Sequence, residues 1–228
     1  IFFKIVSISI FLVGILSDKN IISNPKLRLF FQICVIFLLV HFEKLNIVGV
    51  NIEIIDYLLN INYFNYFFTI FCFAVLINGS NFLDGLNGLL SGYFILVLIS
   101  IYYILNYHVN LSDDIRELVN LLLTITIIFY IFNLFGIVYL GDSGSYLLSI
   151  SVGFILIKMH QQSNLISPYY IANMLWYPAF ENLFSLLRRF LSKNKISSAD
   201  KLHLHQLIFR FLRSKNIIKD DWMNTVSG

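Results

Sequence analysis

Long runs of hydrophobic residues, separated by short polar stretches, extend along almost the whole chain. A helix needs roughly 20 apolar residues to cross a bilayer core about 30 Å thick, and several runs approach that length. Seven runs can be drawn, at residues 2–16, 27–42, 63–77, 86–105, 118–140, 146–157 and 169–187. They predict an all-α fold, a polytopic transmembrane helical bundle of about seven spans. The sixth run is short, as expected of a span that packs against protein.

The composition favours a membrane protein over a soluble one. Of the 228 residues, 58% are hydrophobic and only 13% are charged, so folding alone could not hide the apolar surface from water. We expect residues 1–228 to form a single integral membrane domain, with the lipid bilayer and no nucleic acid as a partner. Because the chain begins with Ile1 inside an apolar run, we expect a fragment truncated at both ends.

The basic residues are concentrated in one part of the chain. Nine of the 16 Lys and Arg residues lie within residues 188–219, together with a single acid, Asp200. Since basic loops stay on the cytoplasmic side during insertion, residues 188–228 are predicted to be a cytoplasmic basic loop region. If successive spans cross the membrane in opposite directions, loops 17–25, 81–85 and 141–144 lie on the cytoplasmic side with this basic region. The acid-containing loops 41–62 and 107–117 fall on the opposite side.

Four clusters of polar residues interrupt the spans, and all four fall on the predicted cytoplasmic side. A carboxylate at the membrane centre costs about 2.5–3.5 kcal/mol, so such residues need a reason. The clusters lie within residues 14–32, 78–92, 133–145 and 188–213. The first contains Asp18, Lys26 and Arg28. A polar turn followed by a helix that starts at Pro25 explains that first cluster equally well.

The second cluster combines amide and carboxylate side chains with glycines. Asn78, Asn81 and Asp84 recur every third residue, which keeps them on one broad face of a helix. Gly85 and Gly88 would let a neighbouring backbone approach closely. A glycine-rich turn with helix caps is the alternative, but a turn does not require this set of amides and a carboxylate.

The third and fourth clusters add another carboxylate and several cations. Asp142 lies between glycines, where backbone amides can approach a phosphate and the carboxylate can hold Mg²⁺. A tight loop whose Asp caps the next helix gives the same pattern. In the fourth cluster, cationic and imidazole groups suit a diphosphate, whereas a positive-inside anchor with incidental histidines is the alternative. Together the four clusters favour Mg²⁺-assisted phosphoryl transfer at the membrane surface.

Four motifs, in this order, resemble those of one enzyme family. They are Asn-Gly-Ser-Asn-Phe-Leu-Asp-Gly-Leu-Asn-Gly-Leu at 78–89, Tyr-Leu-Gly-Asp-Ser-Gly-Ser at 139–145, Tyr-Pro-Ala-Phe-Glu-Asn-Leu-Phe-Ser-Leu-Leu-Arg-Arg at 177–189 and Ala-Asp-Lys-Leu-His-Leu-His-Gln at 199–206. The family is that of the polyprenyl-phosphate N-acetylhexosamine-1-phosphate transferases, glycosyltransferase family 4. The resemblance extends from Gly14 to Arg213, nearly the whole chain.

The resemblance implies a multi-pass enzyme of the bacterial inner membrane whose active site faces the cytoplasm. Such an enzyme transfers a sugar 1-phosphate from a UDP-N-acetylhexosamine to undecaprenyl phosphate, releases UMP and requires Mg²⁺ or Mn²⁺. The His-x-His form resembles the branch that initiates O-antigen and related lipid-linked surface glycans. The alternative branch, which transfers phospho-N-acetylmuramoyl-pentapeptide in peptidoglycan synthesis, typically has a denser histidine run. The sequence leaves open which N-acetylhexosamine is used and whether the protein forms a homodimer.

The resemblance also implies roles for individual residues. The implied catalytic residues are Asp18, Asp84, Asp142, His203 and His205, with Asp84 and Asp142 as metal ligands. The implied substrate-binding residues are Asn78, Asn81, Asn133, Lys26, Arg28, Arg188 and Arg189.

Three positions depart from the usual residues of the family. Ser17 replaces the first Asp of a pair, Asn87 replaces a frequent Asp, and Gln206 replaces a frequent His. The change at Ser17 leaves open a weak enzyme, or a non-catalytic relative that binds lipid phosphate. A transporter is the remaining alternative, but it would show inverted repeats and polar groups near the bilayer midplane, and the sequence has no repeat.

Overall fold

The computed structural model describes residues 2–107, 112–163, 166–191, 203–214, 224–225 and 227; Asp200 of the basic region lies outside them. Within these residues the regular elements are α-helices: α1 Phe2–Asp18, α2 Pro25–Phe42, α3 Glu53–Leu59, α4 Asn62–Leu83, α5 Leu89–Tyr107, α6 Asp113–Leu134, α7 Gly141–Gln162, α8 Pro168–Leu191 and α9 Leu204–Ser214. Every predicted apolar run overlaps one of the longer helices, which confirms a helical membrane bundle.

The helices divide into lipid-facing and protein-enclosed ones. Among the described residues, four helices, α2, α4, α5 and α6, are long and apolar enough to cross a membrane. They expose large apolar side chains such as Phe30, Leu96 and Ile128, as expected of surfaces that contact lipid. By contrast, every residue of α7 from Leu148 to Leu156 is buried, and α7 packs against α1, α4, α5 and α6. The prediction that the sixth run packs against protein is therefore confirmed.

Several helix ends differ from the predicted ones, and left-handed glycines explain two of them. α6 ends at Leu134 rather than at residue 140, because Gly136, with φ +67°, turns the chain. α5 begins at Leu89 rather than at residue 86, after Gly88 with φ +81°. α4 continues to Leu83, beyond residue 77, since its polar side chains find hydrogen-bond partners on α2 and α7.

Two helices were not anticipated from the apolar runs. α3 lies within the polar stretch at 41–62, and α9 lies within the basic region at 188–228. Neither is long enough to produce a run of about 20 apolar residues. In α9 the apolar residues Leu204, Leu207, Ile208 and Phe211 instead recur three and four positions apart, the spacing of an amphipathic surface helix.

Glycines bring the helices that carry the polar clusters into backbone contact. A Cβ atom added to Gly14 of α1 would lie 2.2 Å from the Cα of Ser143 in α7. One added to Gly79 of α4 would lie 2.0 Å from the carbonyl oxygen of Pro178 in α8. No side chain fits at such distances, so glycine allows α1 to meet α7, and α4 to meet α8, at close range.

The polar clusters carried by α1, α4 and α7 lie at one end of the bundle. α1 ends at Asp18, α4 ends at Leu83 and α7 begins at Gly141, and hydrogen bonds join α7 to both other helices there. At the other end, the Lys158 ammonium donates to the carbonyl oxygen of Glu43 at 2.7 Å. The predicted grouping of loops 17–25, 81–85 and 141–144 at one end is therefore confirmed.

Candidate active site

The first turn of α7 is capped by a carboxylate from another helix. The first amides of a helix lack intrahelical partners, and Leu140, the N-cap residue of α7, makes no side-chain cap. Asp18 instead accepts hydrogen bonds from the amides of Asp142 (2.8 Å) and Ser143 (3.1 Å). A Cβ atom on Gly141, where φ is +62°, would lie 2.9 Å from Asp18 Oδ1, so glycine is required there. Asp18 thus fixes the end of α1 against the positive end of α7.

Asp142 is held by donors from three helices. Its Oδ2 atom accepts hydrogen bonds from the Ser17 hydroxyl of α1, the Arg28 guanidinium of α2 (3.0 Å) and the Tyr146 hydroxyl of α7 (3.1 Å). Arg28 also donates to Ser17 Oγ at 3.2 Å. The side chains of Arg28 and Asp142 are 27% and 20% exposed, so a charged ligand can reach this ion pair.

Asp84 lies just past the end of α4, beside the other two carboxylates. Burial raises the pKa of Asp84 to about 7; the Gly141 backbone opposes this shift, and the charges of Asp142 and Asp18 add to it. The predicted meeting of Asp18, Asp84 and Asp142 at one end of the bundle is therefore confirmed. Their mutual repulsion in a half-buried site is the situation that a bound divalent cation relieves.

The carboxylates suit a metal that also takes ligands from substrate. Among the described residues, no group of three or more His, Cys, Asp and Glu side chains is arranged to hold a metal by itself. Mg²⁺, however, commonly uses one or two carboxylates and completes its coordination with water and substrate phosphates. The charge of Asp142 adds to the burial that raises the Asp84 pKa, so these two carboxylates are the pair to which the predicted Mg²⁺ or Mn²⁺ site is assigned, and that assignment stays a prediction.

Two of the predicted amide residues face neighbouring helices from α4. Asn81 accepts a hydrogen bond from Ser145 Oγ at 3.1 Å, which joins α4 to α7 one turn from Asp142. Asn78 donates to Gln32 Oε1 of α2 at 3.1 Å, deeper in the bundle. Asn81 therefore lies beside the carboxylates, whereas Asn78 stabilises the helix packing beneath them.

Asn133 connects the end of α6 to the start of α5. Its Oδ1 atom accepts from the Gly88 amide (2.7 Å) and the Ser91 hydroxyl (3.2 Å), and its Nδ2 donates to the Val138 carbonyl oxygen (2.8 Å). Both polar atoms of this buried side chain are thus in use. The structure gives Asn133 a role in shaping the loop after α4, and its predicted contact with substrate stays a prediction.

A buried acid on α8 holds the first histidine at the site. Glu181 accepts hydrogen bonds from His203 Nδ1 (2.8 Å) and from the Leu204 amide (2.9 Å), so it ties the start of α9 to α8. The His203 ring also stacks on Phe82, in the last turn of α4, with ring centroids 4.7 Å apart. His203 is therefore fixed in orientation by one charged and one aromatic contact.

The second histidine is buried but unpaired among the described residues. Neither ring nitrogen of His205 has a hydrogen-bond partner there, and Nε2 lies 3.2 Å from the position of a Cβ atom on Gly85. Burial lowers the pKa of His205 to about 4, with the nearby His203 adding to the effect and Glu181 opposing it. A neutral imidazole next to the Asp84 loop can exchange a hydrogen bond with a bound ligand.

The other predicted cations lie at the start of α2 and at the end of α8. Lys26 is exposed in the first turn of α2. Arg188 and Arg189 lie in the last turn of α8, about 10 Å along the helix from Glu181, seven residues before Arg188. Arg188 is positioned over the Phe184 ring, 5.5 Å from its centroid. Among the predicted cations, Arg28 has an observed ion pair with Asp142.

Sequence reasoning did not identify Tyr146 and Glu181, and it treated Ser17 only as a departure from the family. A carboxylate inside the apolar run at 169–187 is a signal for Glu181, because such an acid needs a partner. Tyr146 and Ser17 carry no comparable signal, since a Tyr or Ser in a span is common and their partner, Asp142, is known only from the fold.

The fold and the site define a class of protein, a helical membrane bundle with carboxylates, an arginine and histidines gathered at one end. Residues 1–160 match the family described as Glycosyl transferase family 4, and the chain belongs to that family. The resemblance found in the four sequence motifs is therefore confirmed.

Three curated relatives illustrate the similarity. The chain is 27% identical over 203 residues to a probable undecaprenyl-phosphate N-acetylglucosaminyl 1-phosphate transferase of Bacillus subtilis (strain 168), covering 89% of this chain and 56% of that protein. It is 28% identical over 202 residues to the undecaprenyl-phosphate alpha-N-acetylglucosaminyl 1-phosphate transferases of Escherichia coli (strain K12) and Shigella flexneri, covering 87% of this chain and 55% of each relative. The chain thus spans about half the length of these relatives.

Proposed function

We propose that this chain forms the catalytic core of a membrane enzyme that transfers N-acetylhexosamine 1-phosphate from a UDP-sugar to undecaprenyl phosphate. The meeting of Asp18, Asp84 and Asp142 with Arg28 at one end of the bundle carries the proposal. Family membership and the names of the relatives support it. On this proposal the site faces the cytoplasm of a bacterial inner membrane, and the product begins a lipid-linked surface glycan such as O-antigen.

The reaction exchanges one phosphoanhydride bond for another. An oxygen of the lipid phosphate forms a bond to the sugar-bound phosphorus of the donor, the bond from that phosphorus to the UMP phosphate breaks, and UMP leaves. Charge accumulates on phosphate oxygens throughout, so positioning and electrostatic stabilisation supply most of the catalysis. The Arg28 guanidinium beside Asp142 and the neutral imidazole of His205 beside Gly85 are donors suited to stabilising this charge.

Mg²⁺ or Mn²⁺ fits this reaction as the proposed metal. Asp84 and Asp142 would hold it, and it would neutralise the charge of the donor diphosphate. Asp18 contributes indirectly. Its carboxylate fixes the first amides of α7 and thereby the position of Asp142. Ser17 and Tyr146 orient the Asp142 carboxylate by hydrogen bonds to Oδ2.

Substitution of Asp142 tests the proposal. Membranes with the full-length protein are expected to convert radiolabelled UDP-N-acetylhexosamine and undecaprenyl phosphate into lipid-linked product only when Mg²⁺ or Mn²⁺ is present. Because it removes a metal ligand and the partner of Arg28, Asp142→Asn should lower turnover at least about 100-fold. Asp113→Asn, an exposed acid at the start of α6, is the matched control and should retain activity. Metal-independent turnover, or an active Asp142→Asn protein, would contradict the proposal.

A second candidate is a non-catalytic family member that binds lipid phosphate. Ser17, which replaces a carboxylate, and the Arg28–Asp142 ion pair favour it, because the pair leaves Asp142 less free for a metal. Binding measured beside turnover separates the two candidates. UDP-sugar binding without turnover by folded protein would favour the second, and turnover would exclude it.

A further inference from the structure

The short helix α9, Leu204–Ser214, has three different faces. On a helix with 3.6 residues per turn, four large apolar residues fall within an arc of about 100° and are all exposed: Leu204, Leu207, Ile208 and Phe211. A neighbouring arc, with His205, Phe209 and Leu212, is buried or half-buried against the protein. The remaining arc is polar and contains Gln206, Arg210 and Arg213.

The exposed apolar arc is unlike the surface of a soluble helix. Leu204, Leu207, Ile208 and Phe211 are 49%, 43%, 41% and 59% exposed. One apolar side of α9 already packs against the bundle, so the exposed arc is a second apolar side of the same helix. A helix with apolar, protein-facing and basic sides fits the boundary between protein, lipid and water.

The position of α9 along the bundle identifies what the apolar arc meets. The ring of His203, next to the first residue of α9, stacks on Phe82 in the last turn of α4, a helix long and apolar enough to cross the membrane. Farther along α9, Phe209 and Arg210 line the same cavity of about 370 Å³ as Gly85, two residues past the end of α4. Both halves of α9 therefore lie at the level where α4 leaves the membrane.

We propose that α9 is an interfacial helix whose exposed apolar arc inserts into the membrane leaflet at the end of the bundle that carries the candidate active site. The segment Leu204–Ser214 contains no acid, and Arg210 and Arg213 provide a charge complementary to anionic lipid headgroups. The partner is thus a phospholipid bilayer with anionic lipids. Since Glu181 ties the start of α9 to α8, the bilayer surface and this acid together fix His203 and His205 beside the end of α4 and the loop that follows it.

Lipid quenching of a single tryptophan tests this placement without any assay of activity. The two native tryptophans, Trp176 and Trp222, are replaced by Phe, and Phe211→Trp is introduced into the intact chain. The protein is reconstituted in nanodiscs of phosphatidylethanolamine and phosphatidylglycerol, with or without bromine on the upper acyl chain. Because an interfacial helix buries its apolar face about 5–10 Å into the boundary, brominated lipid should reduce the fluorescence by about half or more.

Arg213→Trp, on the polar arc of the same helix, is the matched control. It should respond little to brominated lipid and strongly to iodide in the water, whereas Phe211→Trp should show the reverse. An equal iodide response of both variants would overturn the proposal, because the arc would then face water. Shielding of Phe211→Trp from both quenchers, with cross-links between copies, would also overturn it, since a second chain would then cover the arc. Equal thermal unfolding midpoints establish that both variants are folded.

Discussion

At the scale of single residues, the carboxylates of the site have different functions although they lie together. Each oxygen of Asp18 accepts an amide hydrogen of α7, so its charge is used to cap a helix. Asp142 instead pairs with Arg28 at a position that a ligand can reach. Asp84 has a raised pKa because burial and its acidic neighbours disfavour its charge. The contacts of Asp18 are structural ones, and the proposed function assigns the cation to Asp84 and Asp142.

The burial of His205 predicts a pH dependence of stability. The pKa of His205 is lowered from 6.5 to about 4 in the folded protein, so the unfolded chain takes up the proton first as the pH falls. This contribution is fully present above pH 6.5 and is lost progressively towards pH 4. His205→Gln should therefore flatten the fall of the thermal unfolding midpoint between these pH values, measured in detergent by intrinsic fluorescence.

The control for this measurement is His41→Gln, at an exposed histidine in the last turn of α2. Acidic groups titrate in the same pH range, so the informative quantity is the difference between each variant and the parent protein. An unchanged pH profile for His205→Gln would show that His205 is not buried as a neutral group.

At the scale of helices, two kinds of contact hold the helices of the candidate active site in register. One is close backbone contact at glycines, and the other is hydrogen bonding between helix ends. The α4–α8 pair combines the close approach at Gly79 with the hydrogen bond from Asn182 Nδ2 to the Val75 carbonyl oxygen at 3.0 Å. Glu181, the residue before Asn182, fixes the start of α9. Movement of α8 away from α4 would therefore displace the histidines as well.

Gly79→Ala should separate α4 from α8. The added methyl group would lie 2.0 Å from the Pro178 carbonyl oxygen, and this neighbour is backbone that cannot rotate away. Overpacking of this kind costs about 1–3 kcal/mol, so the thermal unfolding midpoint should fall clearly. Gly49→Ala is the control, because its added methyl group would meet the Asp56 carboxylate at 3.4 Å, an ordinary contact distance. Equal midpoints for the two variants would argue against backbone contact between α4 and α8.

At the scale of the whole molecule, the sequence predicted the bundle and the end at which its polar clusters meet. Apolar runs and basic residues carry that information, because span length and insertion depend on them directly. The contacts within the site were not predictable in the same way. The cap that Asp18 provides for α7 joins residues 124 positions apart, so no local motif reveals it. The face of α9 became visible only when its packing against the bundle was known.

The orientation of the bundle in the membrane is predicted by its charges. The loop between α1 and α2 contains Lys19, and α9, which carries Arg210 and Arg213, lies at the same end, so both are expected in the cytoplasm. In a chain whose two cysteines, Cys34 and Cys72, are replaced by Ala, we introduce Lys19→Cys or Glu53→Cys, both at exposed positions at opposite ends. A membrane-impermeant maleimide should label Glu53→Cys in cells with a permeabilised outer envelope, and Lys19→Cys only after the inner membrane is opened. The reverse pattern would place the carboxylates outside the cytoplasm, where nucleotide sugars are absent, and would contradict the proposed transferase.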